Sequence, residues 1–269
     1  MLRARVAAGA RGRIMRALVL AATLSAAAPA ASQDLRVAAA ADLQAVLPAI
    51  AARFEQETGR RAVATFGSSG NFFAQLQNGA PFDVFLSADI DYPRRLEADG
   101  LTAPGTLRVY ASGKLVVWAR TGGVDVSRGL AALAGPAVRQ IAIANPAHAP
   151  YGRAAVAALR HEGLYERVQA KLVLGENISQ AAQFAQSGNV DAGIIALSLA
   201  LAPAMKDTGS YIDIPDSFYP AIVQAAVVMQ STRQRDLATL FVDFLSRPAI
   251  VQLLQSSGFA RPPVSATAK

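Results

Sequence analysis

The sequence contains no cysteine and only two histidines, His148 and His161, in 269 residues. Without cysteine, neither a disulfide framework nor a thiolate metal site can form. Two histidines are too few for a histidine-rich metal site, which leaves carboxylates as ligands for a hard cation. Charged residues account for only 17% of the chain and apolar residues for 52%. This composition excludes an intrinsically disordered protein, and the length permits one or two domains with a sizeable core.

Basic residues outnumber acidic ones, giving a formal net charge of +7 and a pI near 10.1. This balance alone suggests nucleic acid or an anionic membrane as a partner. Residues 1–32, however, contain five arginines and no acidic residue, and they end in an apolar run and small residues. That pattern predicts a secretory signal removed after residue 32, with translation starting at Met1 or Met15. The mature chain then carries a net charge of only +2, which predicts no nucleic-acid partner.

Short apolar runs recur along the rest of the chain and predict buried strands. They are residues 35–40, 62–66, 83–87, 114–119, 140–144, 191–196 and 221–229. Between them, Leu43, Val46, Leu47, Ile50 and Phe54 follow the spacing of a helix laid on a core. Regular alternation of strand and helix indicates an α/β protein with mostly parallel sheets. No second run of about 18 apolar residues occurs, so we expect an exported protein without a membrane span.

Four strand-to-helix junctions combine small residues with a helix start. They are residues 40–42, 67–71, 149–152 and 175–179. Small residues let the backbone approach a ligand, and N–H groups at a helix start bind anions without a formal positive charge. In parallel sheets such turns gather at the carboxyl ends of the strands, where ligands bind. Alternatively, Asp42, Ser69 and Ser179 are ordinary N-caps, and composition and spacing alone do not decide between the two interpretations.

The residues at these junctions resemble a known family. The stretches that carry the resemblance are VAAAADL at 37–43, FGSSG at 66–70, NGAPFDVFLSAD at 78–89, ANP at 144–146, APYG at 149–152, GENI at 175–178, GIIALS at 193–198 and RP at 247–248. In order and spacing they are similar to the molybdate-binding proteins of bacterial ABC importers. The resemblance covers nearly the whole chain after residue 32, and the stretch at 78–89 is its most specific part.

This resemblance implies a two-lobed periplasmic binding protein fold. Each lobe would be a mostly parallel sheet flanked by helices, with the ligand in the cleft between the lobes. With the apolar strands 114–119 and 221–229 as crossings, we expect lobe 1 to comprise 33–112 and 226–269, and lobe 2 to comprise 113–225. The family further implies capture of molybdate, and also tungstate, in the periplasm by a monomer that delivers it to the membrane subunits of an ABC permease. It implies no catalysis and no cofactor.

By the family's pattern, the oxyanion would be held by Asp42 in the first loop, the Ser69 hydroxyl in the second, and main-chain donors at Tyr151 and Ile178. These contacts fit the physics of a dianion held by neutral, oriented donors in a water-poor cleft. Molybdenum would arrive only within the oxyanion, with no direct protein ligand to the metal.

Two positions depart from the family's pattern. Some members use a tyrosine hydroxyl where this chain has Ala196, and we hypothesise that the Tyr151 hydroxyl replaces it. The other departure is Asp42, since a carboxylate offers only acceptors and repels a fully deprotonated oxyanion. We favour a side chain that turns back to cap its own helix. The alternative is a carboxylate facing a ligand that still carries a proton, such as hydrogen phosphate.

Other functions are also consistent with parts of the sequence. A binding protein for sulfate or phosphate would differ in ligand but not in mechanism. A serine hydrolase could be built from Ser69, His148 and Asp83, although the chain has no G-x-S-x-G elbow. A transcriptional effector domain of the same fold would need a helix-turn-helix before the first lobe, where this chain has the predicted export signal.

Overall fold

The computed structural model describes residues 33–262, which belong to one compact unit. The predicted secretory signal at 1–32 lies outside the described residues. Within 33–262, no single helix is long and apolar enough to cross a membrane; one bent pair, Arg235–Phe244 with Pro248–Ser256, meets the length and composition requirements jointly.

The strands form two five-stranded sheets. The first sheet contains β1 (Leu35–Ala40), β2 (Ala62–Gly67), β3 (Val84–Ser87), β4 (Arg108–Gly113) and β10 (Ile222–Val228). The second contains β5 (Leu115–Arg120), β6 (Ile141–Ala144), β7 (Leu172–Gly175), β8 (Ala192–Ala196) and β9 (Gly209–Asp213). We call the elements packed on these sheets the first and the second lobe.

The helices follow the strands along the chain. They are α1 (Leu47–Thr58), α2 (Ser69–Gln77), α3 (Asp91–Ala98), α4 (Leu130–Leu133), α5 (Pro150–His161), α6 (Tyr165–Val168), α7 (Ile178–Ser187), α8 (Leu197–Ala200), α9 (Arg235–Phe244) and α10 (Pro248–Ser256). Short 3-10 turns occupy Ala41–Leu43, Gln169–Lys171 and Asp216–Phe218. This alternation confirms the predicted α/β class with two sheets flanked by helices.

Both sheets are mixed rather than mostly parallel. The strand orders are β2-β1-β3-β10-β4 and β7-β6-β8-β5-β9. In the first sheet β1 pairs in parallel with β2 and β3, whereas β10 is antiparallel to β3 and β4. In the second, β6 is parallel to β7 and β8, and β5 is antiparallel to β8 and β9. The antiparallel strands flank the two crossings between the lobes, because the chain leaves by β4 and β5 and returns by β9 and β10.

The crossings locate the ends of the lobes. The outward crossing lies between β4 and β5, next to the predicted boundary after residue 112. The predicted return boundary after residue 225 falls inside β10, whose pairing with β4 already begins at Ile222. The return to the first lobe therefore comes earlier than predicted, between Asp213 and Ile222, because the apolar run at 221–229 belongs to the first sheet and does not itself bridge the two.

Each lobe has its own buried core. In the first, the rings of Phe241 and Phe244 meet Phe54 of α1 edge-on, with centroids 5.0 and 5.4 Å apart. In the second, Trp118 of β5 is fully buried among the aliphatic residues of the neighbouring strands. Every residue of β3, β6 and β8 is buried, as their continuous apolar runs predicted. Because each lobe is packed around its own core, the positions of the loops at the edge of its sheet are fixed.

Candidate functional site

The four junctions meet at one cavity between the lobes. Its wall consists of residues 40–42, 67–69, 88, 149–151 and 177–178, so all four predicted contact residues line it: Asp42, Ser69, Tyr151 and Ile178. Their convergence follows from the topology, since each junction follows the carboxyl end of a strand that has a parallel partner in its sheet. Their roles as ligand contacts stay predictions.

The cavity is small. Its volume is about 10 Å³, far below the roughly 300 to 1,000 Å³ of pockets that hold drug-sized organic molecules. Helices α2, α5 and α7 all begin at its wall. The first N–H groups of a helix have no carbonyl partner within it, and the helix dipole adds positive potential there. The arrangement therefore suits a small anion that accepts several hydrogen bonds.

Ser69 is the first residue of α2 and is almost fully buried. Its Oγ accepts a hydrogen bond of 2.9 Å from the main-chain N–H of Ala88. Because that bond uses only a lone pair, the hydroxyl proton stays available for donation to a group in the cavity. The alternative in which Ser69 is an N-cap is wrong, since Ser68 occupies that position and accepts from the Asn71 N–H at 3.3 Å.

At the junction before α7, as at α2, the N-cap is a different residue from the predicted serine. Asn177, not Ser179, caps this helix, because its Oδ1 accepts from the N–H groups of Ser179 and Gln180 at 3.0 and 3.1 Å. Ile178 then becomes the first helical residue. Ile178 thus lines the cavity at the start of the helix, and its apolar side chain is buried in the second lobe.

Asp42 lies at the centre of a buried polar cluster. Its side chain is fully buried, and its Oδ2 accepts hydrogen bonds from the Tyr151 hydroxyl, at 2.9 Å, and from the Gln224 amide. The amide oxygen of Gln224 in turn accepts from the Tyr110 hydroxyl at 2.8 Å. The favoured prediction that Asp42 caps its own helix is wrong as to the hydrogen bond, because the 3-10 turn has no side-chain cap, although the main-chain N–H groups of Asp42 and Leu43 do lower the pKa of the carboxyl. Ala40 holds the cap position of the 3-10 turn, and the carboxylate instead receives two donors from elsewhere in the fold.

The Tyr151 hydroxyl has a different partner from the one we hypothesised. It donates its single proton to Asp42 and lies 3.3 Å from the Gln224 amide nitrogen, from which it accepts. A neutral phenol has one proton, so this hydroxyl has none left for a ligand. The hypothesis that it replaces a missing tyrosine donor is therefore wrong, although Tyr151 still lines the cavity.

Sequence reasoning missed Gln224 and Tyr110. Both sit on the strands next to the crossings, β10 and β4, and both are buried. The available signal was a single amide residue, Gln224, in the middle of an otherwise apolar strand. A buried polar side chain needs hydrogen-bond partners, so that exception to the apolar pattern already indicated a polar cluster.

Burial sets the electrostatics of this cluster. It raises the pKa of Asp42 from 3.8 to about 6, even though the hydrogen bonds from Gln224 and Tyr151 act in the opposite direction. Burial also raises the pKa of Tyr110 and of Tyr151 well above their usual value, and the nearby Asp42 charge raises both further. Both tyrosines are therefore neutral donors, and Asp42 is the one group in the cluster whose charge changes near neutral pH.

Hydrogen bonds between the lobes close the rim around the cavity. The Ser68 hydroxyl lies 2.9 Å from His148 Nδ1, and the Gly70 N–H donates to the His148 carbonyl at 2.9 Å. At the first loop, the hydroxyl of Ser198 from the second lobe donates to the main-chain carbonyl of Asp42 at 2.8 Å. Further bonds join Asn71 to Glu176, Asp89 to Arg153, and Gln44 to Ser179. The structure is therefore that of the closed form.

The residues of the alternative hydrolase triad do not meet. Ser69 bonds to Ala88, whereas Asp83 accepts from the Arg36 N–H at 2.8 Å and from the Thr232 hydroxyl at 2.7 Å. Asp83 thus ties β1 to the segment after β10 and does not orient His148. Among residues 33–262, no cluster of three or more histidines and carboxylates offers a metal site.

Comparison with known proteins agrees with this architecture. Residues 35–260 match the family described as bacterial extracellular solute-binding protein. The chain belongs to this family. It is 40% identical over 230 residues to the molybdate-binding protein ModA of Azotobacter vinelandii, covering 86% of this chain and 91% of that protein. It is 36% identical to ModA of Rhodobacter capsulatus, covering 90% of this chain and 94% of the relative.

A solved structure extends the likeness to the fold. The periplasmic molybdate-binding protein of Azotobacter vinelandii superposes with a TM-score of 0.80 at 37% identity, and the match covers 86% of this chain and all of that one. The predicted resemblance to molybdate-binding proteins and the predicted two-lobed binding-protein fold are both confirmed.

We expect the Asp42→Asn variant to alter the pH dependence of stability in the absence of any oxyanion. The pKa of Asp42 is about 6 in the folded protein and 3.8 as the ordinary value, so between these values the folded state binds more protons than the unfolded state. The free energy of unfolding of the wild type then falls as pH rises, by up to about 3 kcal/mol between about pH 4 and pH 7.

The comparison with Asp42→Asn isolates this contribution, because asparagine does not titrate and all other groups are shared. Denaturant unfolding across that pH range should show the wild type losing stability relative to the variant. Parallel pH profiles for the two proteins would contradict the burial of a titrating carboxyl at this position.

Proposed function

We propose that this protein captures molybdate in the cavity between its lobes and delivers it to the membrane subunits of an ABC permease. The observation that supports this most is the cavity itself: a small space enclosed by both lobes, at which α2, α5 and α7 begin. Relatives at 36% and 40% identity are named for binding the same anion. Tungstate, of nearly the same size and charge, is the second expected ligand.

The donors in the cavity explain how a dianion is held without lysine or arginine. The hydroxyl of Ser69 and the main-chain N–H groups of Ser69, Tyr151 and Ile178 are neutral, oriented and sheltered from water. Such preorganised donors interact strongly with an anion where the local dielectric is low. The binding strength comes from their fixed positions, which the two cores and the closed rim maintain.

The remaining parts of the proposal follow from this role. The protein acts in the periplasm as a monomer, after removal of residues 1–32, and it performs no catalysis and needs no cofactor. Ligand binding favours the closed form, because the cavity is complete only when both lobes contribute to its wall. The permease would then recognise the closed form and open the cleft for release.

A panel of oxyanions tests the ligand. We expect molybdate and tungstate to raise the thermal stability of the protein, by about 2.7 kcal/mol when the anion is at 100 times its Kd. Sulfate and phosphate at the same concentration should raise it far less, because the relatives at 36% and 40% identity are named for binding molybdate. A larger shift with sulfate or phosphate would show that this anion, and not molybdate, is the ligand. No shift with any oxyanion would contradict the proposal.

Closure of the cleft depends on a glycine at the rim. A Cβ atom added to Gly70, in the first turn of α2, would lie 2.5 Å from the His148 carbonyl oxygen and 2.8 Å from the Tyr92 hydroxyl. The first of these is main chain of the opposite lobe and cannot move away without opening the cleft. Gly70 therefore lets the lobes approach closely enough to complete the cavity.

We expect Gly70→Ala to weaken molybdate binding by about 10- to 100-fold, since overpacking of this kind costs about 1 to 3 kcal/mol. Titration calorimetry measures the affinity. Gln75→Ala, on the exposed face of the same helix, serves as the control and should bind like the wild type. Unchanged affinity in Gly70→Ala would show that binding does not require this contact between the lobes.

A further inference from the structure

Asp42 poses a problem for the proposed function, on which this inference rests. A fully deprotonated oxyanion presents only acceptors and two negative charges. A carboxylate in the wall of the same small cavity also presents only acceptors and adds a third charge. The contact is unfavourable unless one of the two partners carries a proton.

The hydrogen bonds of Asp42 show where a proton fits. Its Oδ2 already accepts from Tyr151 and Gln224, so that oxygen is used as an acceptor. Its Oδ1 is buried and has no hydrogen bond of normal geometry among residues 33–262, and the main-chain N–H groups of Asp42 and Leu43 near the carboxyl only partly offset its burial. A buried carboxylate oxygen without a donor is costly, whereas the same oxygen bearing a proton becomes a donor that needs an acceptor.

We propose that Asp42 binds the oxyanion as a neutral carboxylic acid, donating the proton on Oδ1 to a ligand oxygen, so that capture of one oxyanion takes up one proton. The proton comes from solvent and forms the O–H bond of Asp42. No bond within the ligand is made or broken. Asp42 thereby becomes a specificity-determining residue, and the apparent mismatch between its charge and the ligand disappears.

Burial favours the neutral acid, whereas the hydrogen-bond donors around Asp42 favour the carboxylate: Gln224, Tyr151 and the main-chain N–H groups of Asp42 and Leu43 all lower its pKa. Tyr151 faces it from α5, Gln224 from β10 and Tyr110 from β4, and the Ser198 hydroxyl at the start of α8 reaches its main-chain oxygen. None of these groups is cationic, so no neighbouring positive charge stabilises the carboxylate. Burial already raises the pKa of Asp42 to about 6 in the structure without ligand. A dianion beside it raises the pKa further, because like charges disfavour ionisation.

The proposal distinguishes two kinds of oxyanion. Molybdate stays fully deprotonated at neutral pH, so the protein must supply the proton between them. Hydrogen phosphate carries its own proton and could donate it to an ionised Asp42, with no net uptake from solvent. The number of protons taken up on binding therefore reports which partner carries the proton in the closed cavity.

Titration calorimetry of the purified protein with sodium molybdate measures this number directly. Runs near pH 7.5 in two buffers with different ionisation enthalpies should give an uptake close to one proton per molybdate bound. The Kd should rise about tenfold between pH 7 and pH 8, since linkage of one proton gives this slope above the pKa of the free group. In Asp42→Asn, whose amide donates without titrating, both the uptake and the pH dependence should be lost.

A matched control is Asp91→Asn, a change of the same type on an exposed carboxylate outside the cavity. It should take up one proton per molybdate, as the wild type does. Tight molybdate binding by the wild type with no proton uptake and a constant Kd would overturn the inference and leave the proposed function intact. Uptake that persists in Asp42→Asn would also overturn it, because another group would then carry the proton.

Failure of molybdate to bind at any pH would overturn the proposed function, and the inference with it. If Asp42→Asn does not fold, the proton count of the wild type still decides, because an uptake near zero is incompatible with a neutral Asp42 in the complex.

Discussion

The closed cleft depends on the hydrogen bond that the Asp42 side chain accepts from Tyr151 across the lobes. Asp42 comes from the end of β1 in the first lobe, Tyr151 from α5 in the second, and Gln224 from the strand by which the chain returns. Opening the cleft separates Asp42 from Tyr151 and exposes both to water. The same cluster thus sets the position of the first loop, the position of α5 and the electrostatic potential at the cavity, so that ligand binding and lobe closure are physically coupled.

Neutral donors suit a transport protein of this kind. A lysine or arginine in the cavity would attract every anion, and its charge would act over a long distance. Main-chain N–H groups at helix starts act only at short range and in fixed directions. Selectivity then arises from the shape of this small cavity, and release requires only that the lobes separate, so that the donors no longer point at one position.

The sequence predicted the convergence of the four junctions, because loops that follow parallel strands gather at one edge of a sheet. It also predicted the fully buried strands β3, β6 and β8 from their unbroken apolar runs. Strands β4, β7 and β9 were missed, and all three lie at a sheet edge. In β9 the residues are mostly exposed and follow no alternating pattern. The partners of Gln224 were unpredictable for another reason. Tyr110 and Asp42 lie 114 and 182 residues away along the chain, and only the folded crossings bring them together.

The most direct measurement is an anomalous difference map at the molybdenum absorption edge, from crystals of the protein grown with molybdate. We expect one strong peak in the cavity bounded by Asp42, Ser69, Tyr151 and Ile178, with the oxyanion oxygens within hydrogen-bond distance of the main-chain N–H groups there. A peak at another place on the protein, or no peak in a closed structure, would contradict the assignment of this cavity as the molybdate site.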